Sequence, residues 1–245
     1  MEYILPILFL LVAFIYSSIG LGGGSSYTAI MTIVGVNYTM IPITSLTLNL
    51  VVTFIGMVNF WKNGFGRLNL VAPFFITSIP FAYIAGSIEL PEFMFQIILL
   101  STLILIAVRI YIFNDLTISF QLSNAQKWML SIILGATLGF IAGAVGIGGG
   151  IYLVPLIIMF GLGSAKEAAA AGALFIWINS LVGFIARYRP GVISSDFIFP
   201  LICAVLIGGF AGSYFGSVKF ENKMVQKIMG IIIIAAIIFL IKEMI

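Results

Sequence analysis

Gly20-Leu21-Gly22-Gly23-Gly24 and, 126 residues later, Gly146-Ile147-Gly148-Gly149-Gly150 each interrupt a long apolar segment. Glycine weakens a helix by about 1 kcal/mol relative to alanine, so each cluster unwinds the backbone locally. Inside a bilayer, unwound backbone persists only where protein buries it or where it lines a cavity. The cluster therefore reads as a binding site, and its recurrence as the mark of a carrier built from repeats.

The setting is a membrane. The chain is 62% hydrophobic and 8% charged, with a mean hydropathy of +1.25, whereas soluble domains carry roughly 25% charge. A soluble core has no use for so much apolar surface. At about 20 residues per span, 245 residues hold seven to nine helices with short loops and no separate soluble domain. The net charge of +3 does not point to nucleic acid, because the cations lie in short connections where they set topology. One cysteine, Cys203, excludes an internal disulfide and reads as a buried structural thiol; histidine is absent. Ile4–Ile15 resembles a signal-peptide core. Its flank carries Glu2 and its counterpart Leu130–Val145 is internal, so it reads as a retained helix.

Eight apolar segments follow one another: Ile4–Val34, Ile41–Trp61, Leu68–Ile88, Phe93–Phe113, Trp128–Phe160, Ala165–Ala186, Phe197–Val218 and Val225–Ile241. The first and fifth carry the glycines. Landmarks recur at offsets of 126 or 127: Gly35 with Gly161, Asn63-Gly64 with Pro190-Gly191, Pro73 with Pro200, and Gly86-Ser87 with Gly212-Ser213. Such agreement indicates internal duplication, with one repeat over residues 1–113, a polar linker over 114–126 and a second repeat over 127–245. The expected fold is an all-α polytopic membrane protein of two homologous repeats. Each has a glycine-interrupted helix, broken or re-entrant, plus three transmembrane helices.

The interrupted segments, at about 30 residues, exceed the roughly 20 of one crossing. A broken helix crossing once puts Lys62, Arg67, Arg109, Lys127, Arg187, Arg189 and Lys242 on one face, and Lys166, Lys219, Lys223 and Lys227 on the other. A re-entrant hairpin moves that second group beside Lys62, Arg67, Arg109 and Lys127, leaving Arg187, Arg189 and Lys242 opposite. The positive-inside rule leans to the hairpin, by one charge, and so to inverted repeats.

The candidate chemistry is that of an anion site. Each cluster precedes a short apolar run, Thr28–Val34 or Leu153–Phe160. If those runs are helical, the glycines form their N-termini, where free N–H groups and the macrodipole favour negative charge. Pro155 suits a helix's first turn. Close packing of small residues explains Gly208, Gly209 and Gly212 better than ligand binding does. Consecutive glycines exceed what packing needs, and Gly-x-Gly-x-x-Gly spacing for a dinucleotide is absent. The substrate-binding candidates are therefore Gly22, Gly23, Gly24, Ser25, Ser26, Gly148, Gly149 and Gly150, with Asn49 and Asn179 as amide donors. Thr44, Ser45, Thr47, Thr53 and Ser180 lie nearby and equally suit helix bridging. Ionisable residues fall at segment ends, which disfavours a deep proton relay or a cation pump. An integral membrane enzyme lacks an evident acid, base or nucleophile cluster. A passive anion channel could use the same N–H cradle.

Gly139-Phe140-Ile141-Ala142-Gly143-Ala144-Val145 leading into Gly146–Gly150 and then Ile151-Tyr152-Leu153-Val154-Pro155, with Ala168–Ala173 and Arg187-Tyr188-Arg189-Pro190-Gly191, resembles the TauE/SafE family of sulfite and organosulfonate exporters. The first half departs from that pattern, with Ala29 at the position of Pro155, and Phe60 and Lys62 at those of Arg187 and Arg189. The resemblance implies a carrier, usually an exporter, of small and mostly sulfur-containing anions in the cell membrane. It leaves open sulfite, sulfoacetate and other organic anions. Its partners would be the anion and the lipid bilayer, not nucleic acid, in an assembly compatible with a homodimer, without metal or cofactor.

Overall fold

A computed structural model describes residues 4–88, 90–111, 123–159, 162–189 and 192–219, together with positions 234, 237, 238, 241 and 242. Among the described residues lie nine α-helices and no strand: α1 Ile4–Ser17, α2 Gly24–Ile33, α3 Met40–Lys62, α4 Leu68–Ser87, α5 Glu92–Tyr111, α6 Asn124–Val145, α7 Gly150–Met159, α8 Ala165–Arg187 and α9 Ser195–Val218. Most of the linker at 114–126, and most of the expected segment Val225–Ile241, lie outside the described residues. Among the described residues, five helices are long and apolar enough to cross a membrane: α3, α4, α8, α9 and the Trp128–Val145 part of α6.

The centre of the fold is α3 against α8. Their apolar windows are 61% and 67% buried, against 28% for α4. Gly56 faces Ala173 while Leu46 faces Gly183. As the numbers rise along one helix they fall along the other, so α3 and α8 run antiparallel. Around them α4 packs on α6, and α1 on α9. Both of these pairs run parallel. Gly135, Gly139 and Gly143 of α6 sit on the α4 backbone at Phe74, Ser78 and Ala82. Gly208, Gly212 and Gly216 of α9 sit on the α1 backbone at Leu10, Phe14 and Ser18. A Cβ at any of these six would overlap the neighbouring main chain, which is the close approach that small residues permit in membranes. Gly209 differs: it faces Val52 at an ordinary 3.5 Å. The outward faces are apolar, as lipid contact demands; Ile207 and Phe210 of α9 are 64% and 60% exposed.

Each glycine cluster divides its apolar segment into two helices and turns the chain back. Gly23 caps α2 at φ +85°, and Gly149 precedes α7 at φ +70°. Side chains rarely adopt that left-handed region, so glycine is the residue these two positions require. The Phe9 and Tyr27 rings stand 4.8 Å apart, whereas eighteen residues of straight helix would separate them by about 27 Å. Val12 reaches Gly23, and Leu138, 126 residues later, reaches Gly149. Each interrupted segment therefore folds back on itself as a pair of helices. One contact supports the hairpin: Arg67 Nη1 pairs with Glu167 Oε1 at 3.0 Å. Single crossings would put Arg67 and the Lys166-Glu167 turn on opposite faces.

Helix starts follow local chemistry. Ser123 with Gln126, and Ser164 with Glu167, form capping boxes on α6 and α8. Cys203, expected to be buried, is free and only half-buried.

Candidate functional site

The two hairpin tips meet beside the middle of α3. Asn49, the tenth residue of that 23-residue helix, is fully buried. It packs on Gly22 and Gly24 of the first tip, and its Nδ2 lies 3.3 Å from the Cβ position of Gly148 in the second. Gly24 in turn abuts the Ile147 backbone. Side chains at these glycines would displace the amide, so glycine is what allows Asn49 to reach both tips. Asn49 Oδ1 and Nδ2 are both buried without a hydrogen-bond partner. Leaving such groups unmatched costs about 1–3 kcal/mol each, a cost that a ligand with matching polarity removes.

The first turn of α2 supplies further donors. Ser26 and Tyr27 N–H both donate to Gly23 O at 3.0 Å, which draws the turn tight. Those two N–H groups are thereby engaged, and the donors left to open α2 at the buried tip are those of Gly24 and Ser25, beside the positive end of the macrodipole. The hydroxyls of Ser25 and Ser26 meet Tyr16 Oη at 3.1 and 2.7 Å. Tyr16 thus fixes the two serines, a role with no sequence signal beyond an aromatic residue in an apolar helix. Thr28 Oγ1 donates into the same turn, 2.9 Å from both Gly24 O and Ser25 O.

Ser45 joins the two tips. Its Oγ donates to Gly146 O at 2.8 Å and also lies 3.3 Å from Gly24 O; with one proton it serves one of them at a time. The polar cluster in α3 signalled this residue, but not its span between the halves.

The second tip repeats the left-handed glycines of the first, Gly146 for Gly20 and Gly149 for Gly23, adds a third at Gly148, and has a different lining. Gly148 and Gly150 are covered by Ile176 of α8, and Gly148 also meets Ser180 Oγ at 3.0 Å. Gly149 lies against Leu138 O, 2.9 Å from its Cβ position, and against the Phe175 ring at 3.2 Å. Asn49 and Thr53 face the first tip; Ile176 and Ser180, each 127 residues later, face the second. Asn179 is fully buried one position before Ser180, and its Nδ2 donates to Phe175 O at 2.9 Å within its own helix. The glycine contacts of the second tip run through Ser180 rather than Asn179. Ser180 Oγ, like Asn49, is buried without a partner.

The atoms nearest the tip glycines belong to uncharged residues, and the N–H groups and helix dipoles give the tips positive character. Arg187 is occupied elsewhere. Its guanidinium donates to Gly143 O at 2.9 Å and Ala144 O at 2.8 Å, capping the negative C-terminal turn of α6. That contact supports the anchoring role of Arg187 over a free charge at a mouth.

With this geometry in place, comparison with known proteins is specific. The family described as sulfite exporter TauE/SafE matches residues 5–240. The chain is 29% identical over 234 residues to the probable membrane transporter protein y4hK of Sinorhizobium fredii, covering 95% of each chain. It is 24% identical over 238 residues to the probable membrane transporter protein YjnA of Bacillus subtilis, covering 89% of this chain and 91% of that one. A third relative, the probable membrane transporter protein YunE of Bacillus subtilis, is 28% identical over 105 residues, 43% of this chain and 38% of that one. No solved structure gives a significant match.

Proposed function

The chain belongs to the sulfite exporter TauE/SafE family and is a multi-pass membrane transporter; from that premise we propose that it is a secondary carrier exporting small anions, sulfite or organosulfonates, across the cell membrane. The anion sits between the two hairpin tips near the membrane midplane. It is held by backbone N–H groups of Gly22–Ser25 and Gly148–Gly150 and by the Asn49 amide, with Ser26, Asn179 and Ser180 beside them. The observation that carries this reading is Asn49, fully buried, unpartnered on both polar atoms, and placed where both glycine tips converge.

The carrier is two inverted repeats, residues 1–113 and 127–245, joined by 114–126. Supporting this, equivalent helices α3 and α8 run antiparallel, and each half places its first helix parallel to the fourth helix of the other. Inverted repeats let the two halves rock about one central site. The end of the molecule that carries Arg67, Lys166 and Lys219 faces the cytoplasm by the positive-inside rule, and the end that carries Arg187 and Arg189 faces outward. A transporter family, with binding by N–H groups alone, supports a carrier over an enzyme. A passive channel would need an open path past the tips, whereas Ile176 closes over Gly148 and Gly150.

The test is flux. Proteoliposomes loaded with sulfite or a small sulfonate should show saturable efflux and countertransport, both lost in Asn49→Leu while the protein stays folded in the bilayer. Non-saturating flux without countertransport would replace the carrier by a channel, and undiminished flux in Asn49→Leu would move the site elsewhere.

A further inference from the structure

Two cavities lie at opposite ends of the α3–α8 pair. One, about 180 Å³, is lined by Pro42 at the start of α3, Ala144 at the end of α6, and Arg187 at the end of α8. The other, about 20 Å³, is lined by Ala169 near the start of α8, Ser18 just past α1, and Phe60 near the end of α3. These are the same three positions, 126 or 127 residues apart. Because α3 and α8 are antiparallel and the cavities meet each of them at residues 18 positions apart, Pro42 and Phe60 on α3 and Arg187 and Ala169 on α8, the cavities are separated by about 27 Å of helix. The larger has room for a small organic anion; the smaller holds about one water.

The closed end carries contacts that cross between the halves. Arg67, before α4, pairs with Glu167 in the first turn of α8 at 3.0 Å. Lys166 stands 127 residues after Thr39, which lines the open cavity. Its ammonium lies 5.0 Å from the Phe65 ring centroid and donates to Ser217 O, at the end of α9, at 2.7 Å. A cation thus replaces a hydroxyl at the equivalent position and ties the turn after α3 to the ends of α8 and α9.

We propose that these cavities are the two vestibules of one anion path: the structure holds the Arg187 vestibule open and the Lys166 vestibule shut, with Arg67–Glu167 and Lys166 as the clamp that closes it. The inference rests on the carrier reading above and adds the path, the state and the residues that must part for the site to open at the other end. Arg67 is 54% exposed at its side chain, so its pair is a weak tie, shifting the balance of the two states about fivefold at most. A tie of that size suits a carrier that must open at both ends in turn.

Ala144 and Ser18 are equivalent, small and nearly fully buried, which makes them matched reporters. In a Cys203→Ser background, purified protein in detergent carrying Ala144→Cys or Ser18→Cys is reacted with a charged methanethiosulfonate. The expected result is modification of Ala144→Cys at least tenfold faster than Ser18→Cys. Adding Glu167→Gln or Arg67→Ala should raise the Ser18→Cys rate and lower the Ala144→Cys rate together, by about two- to fivefold. Equal rates at the two positions, or a clamp variant that moves them in the same direction, would overturn the proposal. Labelling needs no transport, so reciprocal rates without flux of any anion would sink the carrier reading and leave the two-state geometry standing.

Discussion

The two hairpin tips share a left-handed glycine just before the second helix, Gly23 and Gly149, and differ in what faces it. Gly22 and Gly24 look onto Asn49 and Thr53; Gly148 and Gly150 look onto Ile176 and Ser180 at the equivalent positions. Both tips keep what only glycine supplies, a left-handed bend and close approach. The side chains opposite the bend differ, an amide on one side and an aliphatic chain on the other. The N–H donors are therefore paired, while the amide donor is single. An anion held between them, as proposed, would meet an amide on the α3 side and the Ile176 chain with the Ser180 hydroxyl on the α8 side.

Breaking the shared part should have the largest effect. Gly23→Val and Gly149→Val force a branched side chain onto φ values of +85° and +70°, and at Gly149 against the Leu138 carbonyl as well. Transport should fall below detection, at least about 100-fold, in efflux assays normalised to protein in the membrane. Next comes the unshared amide. Asn49→Leu should lower flux about 100-fold yet leave stability unchanged or raise it by about 1–3 kcal/mol, because an unmatched buried amide is replaced by an apolar side chain of similar size. Thermal denaturation in detergent reads this sign, which a purely structural asparagine would reverse.

Smaller effects sharpen the contrast. Ser45→Ala removes the hydroxyl bonded to Gly146 O and should cost about 1 kcal/mol of stability, with flux down severalfold. Asn179→Leu should lower flux less than Asn49→Leu, since its amide N–H is already engaged with Phe175 O. Arg187→Met uncaps the Gly143 and Ala144 carbonyls; it should lower the melting temperature by an amount equivalent to about 1–2 kcal/mol with a smaller change in substrate affinity.

Much of this was legible in the chain because glycine and apolar length are local signals. The two clusters announced the interruptions, and the segments bounded the helices to within a turn, as at Ile41–Trp61 against α3 at Met40–Lys62. Hairpin against single crossing turned on one charge in the loop count, because most of the cations can be shared out either way; the Arg67–Glu167 contact supports the hairpin. The partners of the tips were hidden, since they depend on how α3 and α8 register against the hairpins. Ser45 bridging two carbonyls, Tyr16 holding two serines, and Ile176 in the place of Asn49 are all tertiary facts. The packing reading of α9 holds for Gly208 and Gly212, because spacing of four is itself a helix-contact signal; Gly209, which makes only ordinary contact with Val52, is not such a position.

The central claim is that Asn49 and the two glycine tips hold the transported anion, and ligand-dependent stability tests it most directly. Purified wild-type protein and Asn49→Leu are melted against a panel of sulfite, sulfate, thiosulfate and small sulfonates. A bound anion at about 100 times its Kd stabilises the fold by about 2.7 kcal/mol, so at least one member should raise the wild-type melting temperature by several degrees and leave that of Asn49→Leu unmoved. An equal rise in both proteins would contradict the claim.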